Sequence, residues 1–421
     1  MINESAELAI VGAGAAGLMT AISAGRQPNS KINILLLDSR NKIGAKILIS
    51  GGTRCNVTNV RVTPEDYEGG ARHFVKHVLE AFSPKETLDF FEAIGVRLLL
   101  EPTGKFFPST HSGKTVLEAL IKETKRNGVN LVTETPVTHI TKKEDLFYLK
   151  IANSDRKITA RRVILATGGL SYPETGSDGQ GLLIAKSFGH SIINTTPALT
   201  PLTTSDRDWK SLSGITLNVR LSFFKGNKKI AEREGSFLFT HFGFSGPAAL
   251  DISRFLAALD PGTPCDIKAN FLPDETEETL KKAFTLVFGK NPGKLVKNFL
   301  SDQFLLPVRF VEIFMKKIGF DAETTIKFLS NSARGQLVHQ LLNCPLEVSG
   351  VLGYKKAEVT AGGVDLKEVN VSTMESKIVS GLYFAGEILD IDGRIGGYNF
   401  QWAWSTGAIA GRSAMKSLKA K

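Results

Sequence analysis

A chain of 421 residues with 42% hydrophobic and 22% charged residues is globular in composition, with room for two to three domains of about 150 residues each. Its 40 glycines follow no Gly-X-Y period, which excludes collagen, and its three cysteines (Cys55, Cys265, Cys344) form no CxxC, which excludes a disulfide scaffold and a dithiol redox centre. Lys+Arg outnumber Asp+Glu by 52 to 42, a net +10 that favours anionic ligands without choosing among them, and the basic residues lie in scattered pairs.

Residues 8–25, LAIVGAGAAGLMTAISAG, carry no charge, but Glu4 and Glu7 stand where a signal peptide needs Lys or Arg. No other long uncharged apolar run occurs, so a soluble, cytoplasmic protein without a membrane span is expected. The stretch reads instead as a strand at 8–11, a turn carrying Gly12, Gly14 and Gly17, and a helix to about Ala24. A second apolar strand at 31–37 closes on Asp38, 21 residues after Gly17. This is the GxGxxG frame of a dinucleotide-binding unit. Gly12 permits the tight turn, Gly14 lets the backbone approach a pyrophosphate, and Gly17 lets the helix pack on the strand. The helix N-terminus supplies free N–H groups to phosphate, and the acid accepts from an adenosine ribose.

Later segments favour FAD over NAD. After a run of short strands at about 136–160, VILATGG (163–169) is a strand ending in a turn at Thr167 and Gly168. GLYFAGE (381–387) is another, ending at Gly386 and Glu387, an acid placed for a ribityl hydroxyl. Gly396, Gly397, Tyr398 and Asn399 then open a helix of small residues, whose N-terminus can stabilise negative charge at the edge of a reduced flavin.

Three blocks carry a family resemblance: GAKILISGGTRCNVTN (44–59), GGLSYPETGSDGQG (168–181) and VTAGGVDLKEVNVSTMESKIVSGLYFAGEILDIDGRIGGYNFQWAWSTG (359–407). Through them the chain resembles, over essentially its whole length, a family of bacterial FAD-dependent oxidoreductases. That family includes proteins described as aminoacetone oxidases and as bile-acid dehydroxylation flavoprotein reductases. The resemblance implies an α/β fold: a glutathione-reductase-like Rossmann FAD-binding domain with a parallel sheet, interrupted by an inserted β-rich and helical domain. It implies Gly12, Gly14, Ala16 and Gly17 on the pyrophosphate and Asp38, where the family more often has Glu, on the adenosine ribose. Lys46, Arg54 and Asn56 are implied beside the diphosphate and flavin, Val137 at the adenine, and Glu387, Asn399 and Phe400 at the ribityl chain and isoalloxazine. Ala45 stands where Arg is usual, Thr53 where Gly is usual, and His111 where a polar residue other than His is usual.

The pattern changes between about 195 and 355. Short alternating runs such as ITLNVRLSFF predict a strand-rich part at 196–245, and charged amphipathic stretches predict a helical part at 246–354. The FAD-binding domain is thereby expected at 1–195 and 355–421, with 196–354 as an insert that caps the flavin and lines the substrate pocket. A second GxGxxG is absent, so NAD(P)H, if it is the electron donor, binds transiently. No cluster of His, Cys and carboxylates has metal-ligand spacing, and GxSxG is absent.

The flavin performs the hydride chemistry, and few protein groups offer acid–base help. His241, in LFTHFGFSGPA, and Tyr172, in GGLSYP, are the candidates, each weighed against a packing role. The expectation is an FAD-dependent oxidoreductase for a small organic substrate, through either amine or alcohol oxidation or NAD(P)H-driven double-bond reduction. An RNA-associated flavoprotein and a flavin-binding sensor without turnover are the alternatives, with no stable nucleic-acid complex expected.

Overall fold

The computed structural model describes residues 3–28 and 32–419. They form two compact units, Met1–Pro197 with Ala357–Lys421, and Ala198–Lys356.

The first unit is built on a sheet whose central strand β1 (Asn3–Val11) runs parallel to β2 (Ile34–Leu37) on one side and to Lys157–Leu165 on the other. Asn130–Val132 extends it in parallel beyond β2. Lys157–Leu165 pairs in parallel with Leu382–Phe384 and antiparallel with Leu146–Ile151, which in turn pairs with Val137–Lys143. All four residues of β2 are buried, as a parallel strand covered on both faces requires. Lys31, placed in this strand by the sequence, lies outside the described residues.

Helix α1 (Ala15–Gly25) connects β1 to β2 and packs against the C-terminal helix Tyr398–Lys419. Glycines make that contact close. A Cβ on Gly407 would stand 2.6 Å from the Ala16 carbonyl oxygen, and one on Gly411 would stand 2.4 Å from that of Thr20. Two backbones therefore meet where larger residues would hold them apart. The C-terminal helix is further fixed by Trp404, whose Nε1–H donates to the Val57 carbonyl at 2.9 Å, and by Gln401, whose Oε1 accepts from Thr58 at 2.6 Å.

The second unit is a seven-stranded sheet with every pairing antiparallel, in the order 344–346, 265–270, 216–225, 228–239, 243–245, 202–203, 350–351. Its helices include Pro247–Ala257, Glu277–Lys290, Val308–Lys317 and Asn331–Asn343. The segment 246–354 is thus helical only in part: Cys265–Asn270, Cys344–Leu346 and Gly350–Val351 are strands. CDIKAN is short, and it alternates, with Ile267 and Ala269 buried. That pattern is too short to read locally, and pairing with 220–225 decides it.

Candidate functional site

The glycine turn after β1 shows three different constraints. Gly12 has φ +101°, and a Cβ there would come within 2.5 Å of the Ala166 carbonyl oxygen. A Cβ on Gly17 would meet the Gly12 carbonyl oxygen at 1.8 Å. Gly14, the N-cap of α1, is different: its φ of −81° suits any residue, and a Cβ would meet nothing within 4 Å. No side chain caps this helix, so its first N–H groups face an open cradle.

At the end of β2, Asp38 accepts from the Ala13 N–H at 2.7 Å and the Arg40 N–H at 2.8 Å. Burial raises its carboxyl above the usual range, against the pull of those two donors and of the Arg40 charge. Val137 is buried at the start of its strand, and Ala16 lies within α1, where a Cβ on Gly386 (φ +80°) would come within 2.7 Å of its own. Gly168 takes φ +73° beside Ser177, and the buried Thr167 Oγ1 packs on Gly181 without a hydrogen-bond partner.

A dense polar cluster gathers four segments. Lys46, on α2 (Ala45–Ile49), donates to Glu387 Oε2 at 2.7 Å and to Ser171 Oγ at 2.6 Å. Glu387 Oε1 accepts from Ser171 at 2.6 Å and from the Thr360 N–H at 3.0 Å. Thr360 Oγ1 accepts in turn from the N–H groups of Leu170 (2.7 Å) and Ser171 (3.0 Å). Lys46 and Glu387 are thus joined as the sequence could not show. Ser171 and Thr360 were missed, although both lie inside the motif blocks quoted above. Ser171 is a small hydroxyl residue in a glycine-rich turn and Thr360 one in the buried strand Val359–Val364, and neither type by itself signals a site.

A second gathering involves Asn56 and Gly397. Asn56 is buried, its Oδ1 has no hydrogen-bond partner, and it would stand 2.9 Å from a Cβ on Gly397, whose φ is +95°. Asn399 turns its amide onto Gly393, accepting from N–H and donating to C=O, each at 2.8 Å. Phe400 stacks on Trp404 with 5.5 Å between centroids.

Arg54 sits in a run of left-handed backbone: Gly51, Gly52, Thr53 and Cys55 have φ of 55°, 67°, 69° and 63°. Two of these are not glycine, and such residues cost of order 1–3 kcal/mol each, as in strained functional loops. His111 also has positive φ, 51°. Burial pushes the Cys55 thiol up to about 12, so it is inert at neutral pH. Tyr172, half-buried with φ 48°, follows Ser171, and burial and the Glu358 charge raise its phenol above the usual value. His241 is an exposed residue of the second unit, its ring edge-on to Phe242 at 4.9 Å. No three His, Cys or carboxylate residues among those described could hold a metal ion. No helix among them is long and apolar enough to cross a membrane.

An open cradle at a helix N-terminus, a paired acid at the end of β2 and an orphaned buried amide oxygen at Asn56 all fit a bound dinucleotide with a second ring system. Comparison with known proteins agrees. The chain is 33% identical over 411 residues to the 3-dehydro-bile acid delta(4,6)-reductase of Clostridium scindens, covering 97% of this chain and 98% of that protein. It is 34% identical over 400 residues to the ribosomal RNA dihydrouridine synthase of Escherichia coli, covering 94% and 95%. Among solved structures, the 3-ketosteroid delta1-dehydrogenase of Sterolibacterium denitrificans shares the fold with TM-score 0.52 at 14% identity, covering 98% of this chain and 100% of that one. The HI0933-like protein Rossmann domain matches residues 6–413. The chain belongs to this HI0933-like family, and it is an FAD-dependent oxidoreductase.

Proposed function

We propose that the protein is a flavin-dependent reductase that saturates a carbon–carbon double bond conjugated to a carbonyl, with NAD(P)H as the electron donor. One observation carries this reading: relatives that match nearly the whole chain bear names with a single chemistry in common. A 3-dehydro-delta(4,6) substrate places its double bonds in conjugation with a ketone, and uridine becomes dihydrouridine by losing the double bond conjugated to its C4 carbonyl. Amine or alcohol oxidation has no such support.

FAD, when bound and reduced, supplies the hydride. The N–H groups at the start of α1 would hold its pyrophosphate, and Asp38 would accept from the adenosine ribose. Glu387, held by Lys46, Ser171 and Thr360, would accept from the ribityl chain. The N-terminus of the C-terminal helix, opened by Gly397, would stabilise negative charge on a flavin bound beside it. Tyr172 and His241 are proposed as proton donors to the substrate.

The test is anaerobic reduction of the purified protein with NADPH or NADH, then mixing with a conjugated enone. Reoxidation of the flavin with formation of the saturated ketone supports the reading. Reduction of the oxidised protein by an amine, with no reaction toward enones, refutes it. The net charge of +10 favours a second reading in which the conjugated ring is a uracil in RNA. Dihydrouridine formed in transcribed ribosomal RNA, with steep salt dependence, is its signature.

A further inference from the structure

Resting on that reading, we propose that Arg54 binds the carbonyl oxygen of the conjugated substrate and stabilises the negative charge that develops there as the double bond is reduced.

Its loop is fastened at both ends to the turns that form the flavin site. Upstream, α2 ties Lys46 to Glu387 at 2.7 Å. Downstream, Asn56 abuts Gly397. Between them, the Cys55 N–H donates to the Ser50 carbonyl at 3.0 Å, and the Thr53 carbonyl accepts from the Gly113 N–H at 2.8 Å, so the left-handed run is held in place.

The side chain is as constrained as the backbone. The guanidinium carbon lies 3.9 Å from the centroid of the buried Phe107 ring, Nη1 donates to Glu101 at 2.6 Å, and Nε donates to the Gly51 carbonyl at 3.4 Å. A flat cation is thus fixed by ring, carboxylate and backbone. Nη2 makes no protein hydrogen bond among the described residues, and the side chain keeps 37% of its surface exposed. Ring and carboxylate set the plane, leaving that donor edge for a ligand.

The chemistry needs such a donor. Hydride adds to the β-carbon and forms the new C–H bond. The π pair moves through the α-carbon onto the carbonyl oxygen, and a proton from water or a neighbouring acid then completes the α-carbon. The substrate gains two electrons and two protons, and NAD(P)H supplies the electrons through the flavin. A guanidinium keeps its protons throughout, so it stabilises the oxyanion without taking part in the proton transfer. Glu101 and Phe107 are positioning residues.

The test uses the FAD-loaded protein with Arg54→Met, Arg54→Lys and Glu101→Gln. Flavin content and the rate of reduction by NAD(P)H are measured in all three, so that reoxidation is read per bound, reduced flavin. Reoxidation by 2-cyclohexen-1-one is expected to fall about 10²–10³-fold in Arg54→Met and less in the other two. Binding of 4-nitrophenol as its phenolate, read from its colour, is expected to weaken in the same order. Parental reoxidation and phenolate binding in Arg54→Met would overturn the proposal, as would a loss of flavin that accounts for both defects. If the parent protein fails to react with the enone yet binds phenolate through Arg54, the reductase reading falls while the anion site stands. If Arg54→Met does not fold, Glu101→Gln decides: unchanged phenolate affinity there counts against the site.

Discussion

The two units solve different problems with different residues. In the first, backbone meets backbone through glycine: Gly12 on Ala166, Gly17 on Gly12, Gly407 on Ala16 and Gly411 on Thr20. In the second, 16 of the 26 phenylalanines gather, and Trp209 packs among Phe239, Phe271 and Phe310 with centroids 5.7–6.4 Å apart. Glycine contacts bring strands, helices and turns close enough to cradle a cofactor, and they leave polar side chains such as Glu387 converging. Aromatic packing fills a core between sheet and helices. The first unit adds close glycine contacts around its turns to a core of its own, and the second fills its core with aromatic rings.

The largest effects should separate these two logics. Trp209→Ala removes a fully buried ring and should destabilise the second unit by about 3–5 kcal/mol. Denaturant unfolding should show it as an early transition with FAD still bound. Simultaneous loss of FAD would mean that the units do not unfold separately. Gly14→Val should do the converse. Its Cβ enters open space, so the thermal transition of the apoprotein should stay near the parent while the protein purifies colourless. A yellow, fully loaded Gly14→Val protein would place the nucleotide elsewhere.

Glu387→Ala comes next. Charge-assisted hydrogen bonds contribute about 1.5–3 kcal/mol, so FAD affinity should fall roughly ten- to hundredfold, as measured by flavin fluorescence on titration. Affinity equal to the parent's would remove Glu387 from the ribityl chain.

These predictions rest on how unevenly the sequence could be read. The glycine frame, Asp38 and the apolar strand Leu382–Phe384 were legible because each depends on local chain geometry, which residue type reports directly, whereas Glu387 itself falls beyond the strand's end, in a single helical turn at Gly386–Ile388. The partnership of Lys46 with Glu387, 341 positions apart, was not, because a solvated lysine and a paired one look alike in sequence. Ser171 escaped because a hydroxyl in a turn usually bonds its own backbone, and Thr360 because a threonine in a buried strand reads as packing. In the second unit, Cys265–Asn270 became a strand through its neighbours, a tertiary effect that no six-residue window carries.

A smaller effect tests a polar contact outside the flavin cluster. His190 is buried, with Nδ1 3.0 Å from Glu368 and Nε2 2.8 Å from Ser376, whose Oγ already accepts from the N–H groups of Ile378 and Val379. Ser376 therefore donates to a neutral imidazole. Burial lowers the His190 pKa, against the opposing pull of Glu368. Because the folded state binds this proton less readily than the unfolded chain, stability is full above the ordinary histidine value of about 6.5 and declines as pH falls toward the lowered folded value. His190→Gln should flatten that part of the stability–pH curve, and an unchanged slope would assign it to another group. The smallest effect belongs to exposed His241: His241→Ala should leave unfolding midpoint and FAD affinity within error of the parent, so that any loss of turnover reports chemistry alone.

The central claim, that this flavoprotein reduces a double bond conjugated to a carbonyl, is tested most directly by anaerobic stopped-flow mixing of the pre-reduced protein with an enone. The account predicts enone-dependent reoxidation of the flavin in a single turnover, with one equivalent of saturated ketone per flavin. A reduced flavin that stays reduced before every conjugated carbonyl, ring-bound uracil in RNA included, while oxygen reoxidises it readily, would contradict it.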